Sequence, residues 1–447
     1  MRQALSDMCA QMESAYTIPP EQFEHESVKR GLRNSDGTGV IAGVTRIGSV
    51  RGYHMEDGVP IPADGRLYYR GINVMDIVQA HREAGTFGFE EVSYLLLLGR
   101  LPNADQYASF KSLIENGRKL PDGFFEDMIL KAPSQNVMNK LSRAVLALYS
   151  YDPDPDNLSS ENLVRQSVEL IARLPVIIAD AYAVKRHYYD NRSLLVHTPT
   201  QGSVAENFLH MLRPDNCFTR EEALLLDLML ILHAEHGGGN NSAFTCRVLA
   251  STATDTYGCI AGAINSLKGP LHGGANQKVM EMFRDVHANV LDPTDEDEIY
   301  RYLCKIRDRE AGDRSGKIYG LGHAVYTLSD PRALMLKQCV ASLARKTAQT
   351  NAFQLMERIE RQGTRALYAK LGTKKRVCAN VDMYSGLVYQ MLGIPEELFT
   401  PLFAIARIAG WCAHRVEEAL TGNRIIRPAY RAMMDKTKYT AMRDREG

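Results

Sequence analysis

The chain has 447 residues, and its 53 lysines and arginines are balanced by 53 aspartates and glutamates, so its formal net charge is zero. This balance argues against broad electrostatic binding to nucleic acid or to anionic membranes. Hydrophobic residues make up 45% of the chain, too many for a disordered protein, and no apolar run reaches the roughly 18 residues that span a bilayer. The amino-terminal sequence MRQALSDMCAQMES lacks the apolar core of a signal peptide, so we expect a soluble, cytoplasmic protein.

Strand patterns are confined to the amino-terminal part of the chain. Segments 39–50 and 66–69 are predicted as strands, and they flank residues 58–65 (GVPIPADG), which are predicted as a turn. No regular alternation of strands and helices follows. This absence excludes a doubly wound or barrel α/β fold.

Helical periodicity dominates the rest of the chain. Thr219 and Glu222 form a capping-box pattern, and the segment 223–233 is apolar on nearly every side, which predicts a buried helix. Pro175 lies on an earlier apolar stripe, where we expect a kink or a break. Later stripes predict helices at 257–267, 279–286 and 398–416.

Two polar stretches interrupt this helical pattern. Residues 291–298 (LDPTDEDE) and residues 363–376 are predicted as surface loops or helix starts, and both lie within residues 276–385. The chain length suggests two or three domains at roughly 150 residues each. The region 276–385 is therefore a candidate smaller domain.

Histidines flanked by glycines mark two candidate functional turns. His236 lies in HAEHGGGNN, after the apolar helix, and His272 lies in KGPLHGGAN, between two predicted helices. His233 and His236 could share a helix face and bind a metal ion, but no third ligand has suitable spacing, so we expect no metal site. A histidine before a helix amino terminus has a lowered pKa, which keeps it neutral and able to donate to an enol oxygen. The alternative for His272 is a hydrogen-bonded turn residue.

Two further polar segments follow. GLGHAVYTLSDPR contains His323 and Arg332, and its Gly-x-Gly is a weak signal because the rest of the nucleotide-binding pattern is missing. NVDMYSG contains Asp382, which could act as a general base, although an isolated aspartate in such a loop is more often a helix cap. The eight cysteines are scattered singly, which favours reduced thiols over disulfides or metal ligands.

These four stretches, in this order, resemble the citrate synthase family. LKGPLHGGAN, GLGHAVYTLSDPR and NVDMYSGLVYQMLGIP are similar to its three catalytic segments, and LYYRGI, FEEVSYLLLLGRLP and FAIARIAGWCAHRVE extend the resemblance over about residues 40–430. The resemblance implies an all-α fold with a few short amino-terminal strands. Its large domain would comprise residues 1–275 (with 1–40 as an extension) and 386–447, and a small domain of residues 276–385 would close over the active site.

The resemblance also implies a reaction, in which acetyl-CoA condenses with oxaloacetate and citryl-CoA is hydrolysed to citrate and CoA. Asp382 matches the aspartate that removes a methyl proton from acetyl-CoA. His272 matches the histidine that stabilises the enol oxygen, and His323 matches the one that polarises the ketone of oxaloacetate. This division of labour is physically sensible, because a carboxylate is too weak a base for a thioester methyl group unless a donor meets the enolate charge.

Oxaloacetate is a dianion, and the resemblance supplies arginines to hold it. Arg332, Arg407 and Arg427 match the family's carboxylate-binding residues, a task that suits the planar fork of a guanidinium group. His236 matches another oxaloacetate contact, and Asn240 stands where the family has an asparagine that lines the site. The arginine matched by Arg427 reaches the neighbouring subunit's site, so we expect a homodimer with shared active sites.

The CoA site is less well defined by the resemblance. Apart from the two substrates, no cofactor is implied. Many members carry a glutamate directly after the histidine matched by His236, whereas this chain has Gly237. This chain therefore lacks one carboxylate near the site, and the resemblance does not say what the side chain that normally contacts this carboxylate contacts here. The expected CoA contacts are Lys317, Tyr319, Gly320, Gly322, Lys374 and Lys375.

Two alternatives stay open. 2-Methylcitrate synthases condense propionyl-CoA with oxaloacetate through the same motifs, and one extra methyl group is worth only ~1–3 kcal/mol of discrimination. An inactive helical scaffold or a metal-binding protein could keep the fold, but the intact His272, His323 and Asp382 and the three arginines argue against it. We therefore expect an acyl-CoA:oxaloacetate C-acyltransferase of the citrate synthase type, active in the tricarboxylic acid cycle.

Overall fold

The contacts of the chain separate it into two compact units. One unit is Gly43–Ile425, and the other combines Met1–Ala42 with Ile426–Gly447. The computed structural model describes residues 3, 5, 6, 8, 9, 12, 16–34, 36–57, 59–346, 349–372, 376–422, 424–434 and 436–445.

The larger unit is built mainly from helices, which confirms the predicted all-α class with a few amino-terminal strands. Helix α1 (Pro20–His25) belongs to the unit formed by the two ends of the chain. The helices of the larger unit are α2 (Val74–Ala84), α3 (Phe89–Leu98), α4 (Ala104–Gly117), α5 (Val137–Ala147), α6 (Ser160–Asp190), α7 (Val204–Leu212), α8 (Arg220–His233), α9 (Asn241–Ala250), α10 (Thr256–Lys268), α11 (Ala275–Asn289), α12 (Glu296–Arg307), α13 (Pro331–Lys346), α14 (Thr350–Leu371), α15 (Asp382–Met391) and α16 (Phe399–Thr421).

An antiparallel sheet with the order β1–β2–β3 lies at the start of the larger unit, with β1 at Gly48–Glu56, β2 at Val59–Tyr69 and β3 at Ile72–Asn73. The strand predicted from residue 39 therefore begins only at residue 48. The turn predicted at 58–65 is wrong from Val59 onward, because Pro60 and Pro62 pair with β1. β3 pairs only with the end of β2, so at Pro60 and Pro62 the strand β2 has a neighbouring strand on one side only. Proline, which has no N–H to donate, is tolerated at such edge positions.

Two helix predictions have opposite outcomes. The capping box of α8 is confirmed, because Thr219 Oγ1 accepts from the Glu222 N–H while the Glu222 carboxylate accepts from the Thr219 N–H. The break expected at Pro175 is wrong, because α6 runs without interruption from Ser160 to Asp190. Most residues around Pro175 are buried, so packing offsets the backbone hydrogen bond that proline cannot make.

The two polar stretches also differ from one another. Residues 291–295 form a loop and residues 296–298 begin α12, which agrees with the predicted loop or helix start. Residues 363–371 belong to α14, so the surface loop predicted there is wrong; Gly363 packs against Leu321 and Ile318, which favours continuation of the helix. The domain boundaries at 275 and 385 stay a prediction.

Helix α16 lies at the centre of the larger unit. It packs against α3, α6, α8, α9 and α10 and is buried along most of its length. Among the described residues, no helix combines the length and the apolar character needed to cross a membrane. Several polar and charged side chains of α16 are buried in the protein core: Arg407, Trp411, His414 and Arg415.

Two glycines let the sheet touch the loop that precedes α13. A Cβ added at Gly52 would overlap the carbonyl oxygen of Val325, and one at Gly65 would overlap that of Ser329. The Gly65 N–H also donates a hydrogen bond to Ser329 Oγ at 3.1 Å. Only glycine permits such a close backbone approach, so the hairpin fixes the path of this loop.

We expect Gly65→Ala to lower the free energy of unfolding by about 1–3 kcal/mol, because the new methyl group meets a backbone carbonyl that cannot rotate away. Gly43→Ala is the matched control, since a Cβ there meets no described atom within 4 Å. The control should change the free energy of unfolding by less than about 0.5 kcal/mol. Urea unfolding measures both variants, and equal midpoints would contradict the role of Gly65.

Candidate active site

The first part of the site follows the end of α8. His233 is the last residue of α8 and donates from Nδ1 to the Met229 carbonyl at 2.8 Å. Burial lowers the pKa of His233 to about 3, so the ring is neutral and its Nε2 is an acceptor. Since α8 ends at His233, this residue and His236 do not share a helix face.

Arg407, on α16, is fully buried at 0% exposure. Its Nε donates to the His233 carbonyl at 2.7 Å, whereas Nη1 and Nη2 are buried with no hydrogen-bond partner among the described residues. Burial lowers the pKa of Arg407 to about 10, although the Glu235 carboxylate opposes this shift. A buried guanidinium with two unpaired edges is costly, and a carboxylate ligand that accepts from both nitrogens would satisfy it.

Three aromatic rings bring His236 and His323 together. The His323 ring stacks on Tyr326 with centroids 4.6 Å apart and meets His236 edge to face at 5.1 Å. Nδ1 of His323 accepts the backbone N–H groups of Val325 and Tyr326 at 3.0 and 3.1 Å. A neutral His323 therefore carries its hydrogen on Nε2, where it can be donated to a carbonyl oxygen.

His236 is held neutral by its surroundings. Burial and the positive charges of Arg332 and Arg407 hold the pKa of His236 well below its usual value. In the described part of the chain, neither His236 Nε2 nor the Tyr326 hydroxyl has a hydrogen-bond partner, although both are buried. These atoms are able to bind polar groups of a ligand, and the sequence analysis did not single out Tyr326.

Asp330 links Arg332 to the segment that carries Asp382. Its carboxylate accepts from Nε and Nη2 of Arg332 at 3.0 and 2.7 Å, which forms a bidentate ion pair. The Oδ2 atom also accepts the N–H of Val381 at 3.2 Å. Burial opposes the charge on Arg332, but Asp330 raises the pKa of the guanidinium, so Arg332 stays positive.

A short antiparallel bridge joins the segments before His323 and Asp382. Leu321 pairs with Ala379, and the bridge is flanked by hydrogen bonds from Gly322 N to the Cys378 carbonyl and from Asn380 N to the Gly320 carbonyl. Gly320 and Gly322 have φ values of 81° and 90°, which favour glycine. Two motifs that are almost sixty residues apart are therefore adjacent.

Asp382 is the first residue of α15, and its neighbour Val381 occupies the cap position. The helix-cap alternative therefore does not apply to its side chain. Burial raises the pKa of Asp382 to about 6, the positive charge of Arg332 opposes the shift, and Asp330 adds to it. A carboxylate with this pKa is a stronger base than usual and is still mostly ionised at pH 7.

His272 lies in the turn between α10 and α11. Its Nε2 is 3.2 Å from Ser242 Oγ, which also donates to Asn240 Oδ1 at 2.9 Å. Burial, followed by the charge of Arg407, lowers the pKa of His272 to about 4. The neutral state agrees with the prediction, but its main cause is burial rather than the helix terminus.

Glu235, two residues before Gly237, places a fully buried carboxylate beside this loop. Its Oε1 accepts from His414 Nε2 at 3.0 Å and from the Gly237 N–H at 2.5 Å. Arg247 donates to Nδ1 of His414 at 2.9 Å, so the hydrogen of a neutral His414 is on Nε2. Burial opposes the charge, yet His414 and Arg407 keep the pKa of Glu235 below its usual value.

The roles predicted for Arg427 and for the CoA contacts are not tested by the contacts of the larger unit. Arg427 is exposed and belongs to the unit formed by the two ends of the chain. Lys317 is exposed, and the Tyr319 hydroxyl donates to the Asp313 carboxylate at 2.6 Å. The proposed CoA contacts therefore stay predictions. Two of them lie outside the described residues: Lys374 and Lys375.

Comparison with known proteins gives consistent matches. The family model described as citrate synthase, C-terminal domain, matches residues 35–429. The chain is 37% identical to the citrate synthase of Deinococcus radiodurans, over 86% of this chain and 91% of that protein. It is 33% identical to 2-methylcitrate synthase 1 of Corynebacterium glutamicum, over 90% of this chain and 94% of that protein.

Solved structures share the fold. The citrate synthase of Thermoplasma acidophilum, in a ternary complex with carboxymethyl coenzyme A and oxaloacetate, has a TM-score of 0.76 at 26% identity, and the match covers 94% of this chain and 99% of that chain. The citrate synthase of Thermotoga maritima has a TM-score of 0.74 at 28% identity and covers 94% and 100%. The sequence match over most of the chain and the shared fold show that the chain belongs to the citrate synthase family.

Proposed function

We propose that the protein condenses acetyl-CoA with oxaloacetate and hydrolyses citryl-CoA to citrate and CoA. The observation that carries this proposal is the buried Arg407 fork, whose Nη1 and Nη2 have no partner among the described residues. A carboxylate of oxaloacetate would accept from both nitrogens and compensate the buried charge. Arg332, held by Asp330, would provide positive charge for the second carboxylate.

His323 is the group best suited to polarise the ketone of oxaloacetate. Its Nδ1 accepts two backbone hydrogen bonds, so its Nε2–H would donate to the ketone oxygen. A donor that is already fixed in position stabilises the negative charge on this oxygen without reorganisation. His236, neutral and adjacent, would contact the same substrate.

Asp382 and His272 would generate the nucleophile. The Asp382 carboxylate accepts a methyl proton of acetyl-CoA, and the electrons of the C–H bond move to form the enolate of the thioester. His272 donates a hydrogen bond to the thioester oxygen as negative charge develops there. Because the pKa of His272 is lowered to about 4, it acts as a neutral donor and does not protonate Asp382.

The enolate carbon then attacks the keto carbon of oxaloacetate, and the π bond of the ketone breaks. The alkoxide so formed takes the proton on Nε2 of His323, and the proton that Asp382 removed earlier balances this transfer. The product is citryl-CoA. Water adds to its thioester carbonyl and the C–S bond breaks, which releases citrate and the thiol of CoA. Bulk water would quench the carbon nucleophile by giving it a proton. Exclusion of bulk water from the site while the nucleophile exists would prevent this side reaction.

The assembly and location of the enzyme are part of the same proposal. We infer a cytoplasmic homodimer in which Arg427 of one protomer reaches the substrate carboxylate in the site of its partner. The family resemblance of the segment RIIRP supports this role. Apart from the substrates, the proposed chemistry needs no cofactor.

2-Methylcitrate synthesis from propionyl-CoA is the second candidate. It is favoured by the 33% identity to 2-methylcitrate synthase 1 of Corynebacterium glutamicum, close to the values for several citrate synthases. The two reactions differ by one methyl group, for which a pocket discriminates by only ~1–3 kcal/mol. The ratio of kcat/KM for acetyl-CoA and propionyl-CoA decides between them.

The roles of Asp382 and Arg407 can be separated by one pair of variants. Asp382→Asn should lower kcat by about 100-fold or more, because the general base is lost, while oxaloacetate binding stays within a factor of about two. Arg407→Leu should weaken oxaloacetate binding by about 10- to 100-fold, because two charge-assisted hydrogen bonds are removed. Calorimetry of oxaloacetate binding and a thiol-release assay measure both. Turnover in Asp382→Asn would show that the assigned base is wrong.

The pH dependence follows from the raised pKa of Asp382. The carboxylate must be ionised to accept a proton, so kcat/KM for acetyl-CoA should fall as the pH drops below about 6. His272, whose pKa is about 4, and His236, whose pKa is also lowered, stay neutral over this range. A profile measured between about pH 5 and pH 8 should therefore show one acid limb. A rate that stays constant to pH 5 would contradict the assignment.

Mixed dimers test the shared site. Neither Arg427→Ala nor Asp382→Ala should be active alone. Equal mixing gives about half heterodimers, and one of the two sites in each heterodimer has both residues, so about a quarter of wild-type activity should return. Mixing Asp382→Ala with Asp382→Asn is the control, which cannot restore a site. Absence of complementation in the first mixture would refute the role of Arg427 in the partner's site.

A further inference from the structure

Glu235 lies directly before His236, in the turn that follows α8. Glutamate side chains are rarely buried completely unless they are paired, yet that of Glu235 is 0% exposed. The proposed condensation does not use this carboxylate. Because a buried charge is costly unless its surroundings compensate it, the contacts of Glu235 indicate what its burial achieves.

Two hydrogen bonds hold the backbone on either side of His236. Before it, the N–H of Glu235 donates to the buried hydroxyl of Tyr69 at 3.3 Å. After it, the N–H of Gly237 donates to Oε1 of the Glu235 carboxylate at 2.5 Å. The carboxylate therefore closes the turn around His236, and the direction of the histidine ring depends on where this carboxylate lies.

His414, on α16, holds the carboxylate in place. Arg247 can only donate, so Nδ1 of His414 accepts from its Nη1 at 2.9 Å, and the ring hydrogen of His414 is on Nε2. This hydrogen is donated to Oε1 of Glu235 at 3.0 Å. The Nη1 group of Arg247 has a second hydrogen, which it donates to Oε2 of Glu417 at 2.7 Å. No hydroxyl takes part in these contacts, so the direction of each donation is fixed.

Two glycines leave room for the carboxylate. A Cβ at Gly48 of β1 would lie 2.9 Å from Cγ of Glu235, and one at Gly410 of α16 would lie 2.5 Å from its Oε2. Gly410 is three residues after Arg407 and four before His414, so the three residues lie on one face of α16. The helix face that carries the Arg407 fork therefore also holds Glu235.

We propose that Glu235 and His414 are positioning residues that hold His236 in the oxaloacetate site. Arg407 donates to the His233 carbonyl at 2.7 Å, so α16 contacts the segment that carries His236 both before and after this residue's own turn begins to bend. These contacts set the distance between the Arg407 fork and the His236 ring, and a ligand that binds both groups needs the correct distance. The inference rests on the proposed function, because it takes oxaloacetate as this ligand.

His414→Leu and His414→Gln test the proposal. Leucine removes the donor to Glu235, whereas the glutamine amide keeps an N–H for Glu235 and an oxygen that accepts from Arg247. We expect the Kd for oxaloacetate, measured by calorimetry, to rise about tenfold in His414→Leu and to stay within about threefold of the wild-type value in His414→Gln. The KM for acetyl-CoA should stay within a factor of about two in both variants. Unchanged oxaloacetate affinity in His414→Leu, or a glutamine variant as weak as the leucine variant, would overturn the proposal.

Cys412→Ala is the matched control for a purely structural effect. Cys412 is as fully buried on α16 as His414, and its thiol is hydrogen-bonded to Ser167 of α6. Both Cys412→Ala and His414→Leu should lower the unfolding temperature, but only His414→Leu should weaken oxaloacetate binding. Equal losses of affinity in the two variants would show that destabilisation alone is responsible, and the proposal would fail.

Gly48→Ala is a second test, which displaces the Glu235 side chain from the side of β1 and leaves its charge and His414 in place. It should raise the Kd for oxaloacetate by about 3- to 10-fold. In the double variant with His414→Leu, the loss of binding free energy should be smaller than the sum of the two single losses. Gly43→Ala, whose methyl group meets no described atom within 4 Å, should bind oxaloacetate as the wild type does. Additive losses would mean that the two substitutions act by different routes, and would refute the shared role of Glu235.

The binding measurements distinguish failure of this inference from failure of the proposed function. If the wild-type protein binds oxaloacetate but does not condense it with acetyl-CoA, the proposed function fails, and the His414 variants still decide the role of Glu235. If condensation occurs and the His414 variants bind oxaloacetate as the wild type does, only the role of Glu235 and His414 is refuted. A wild-type protein that does not bind oxaloacetate would contradict both.

Discussion

The burial of two positive charges is the constraint on which the site depends. Arg407 and Arg332 are 0% and 3% exposed. Their charges are only partly offset by carboxylates, because Asp330 pairs with Arg332 while two nitrogens of Arg407 have no partner among the described residues. Burial lowers the pKa of His236 and His272, the charges of these arginines add to this shift, and the charge of Arg332 limits the rise in the pKa of Asp382. Burial and the two arginine charges together therefore keep these histidines neutral and leave Asp382 mostly ionised at pH 7.

Asp330 connects the buried charge of Arg332 to the segment that carries Asp382. One carboxylate holds both the fork of Arg332 and the backbone N–H that precedes Asp382. The position of the Arg332 charge is therefore tied to the position of Asp382. The bridge between Leu321 and Ala379 adds a second connection between the same two segments, and the glycines of the hairpin support the loop between them. A change in any of these contacts would move two functional groups at once.

The sequence was informative where chemistry depends on local residue type. Glycine-flanked His236, His272 and His323 could be found because turns need glycine and because the motifs resemble those of a family. Contacts between distant residues could not be found in this way. Glu235 is next to His236, but its partner His414 is 179 residues away, so nothing local marks it as buried. The sequence also could not show that Tyr326 stacks on His323.

The wrong structural predictions have a similar origin. Proline and glycine predicted a turn at residues 58–65, but pairing with β1 extends the strand through most of this segment. Pro175 predicted a break, but burial on several sides keeps α6 continuous. In both cases a local preference of a few kcal/mol is outweighed by long-range packing, which a single sequence does not display. The same long-range packing brings the motifs together. The contacts of the site that join distant residues, such as the one between Glu235 and His414, are therefore the most difficult to predict from the sequence.

His323 and His272, the two histidines of the proposed mechanism, differ in how their tautomers are set. Nδ1 of His323 accepts from two backbone N–H groups, which cannot reverse their direction, so its donor is always Nε2. Nε2 of His272 faces a hydroxyl, which can donate or accept, so its tautomer depends on what else binds that hydroxyl. The ketone would therefore meet a permanently oriented donor, whereas the thioester would meet one that side chains must orient. The surroundings of Nε2 of His272 are therefore set by side chains, because Ser242 also contacts Trp411 and Asn240, whereas those of Nδ1 of His323 are set by the backbone.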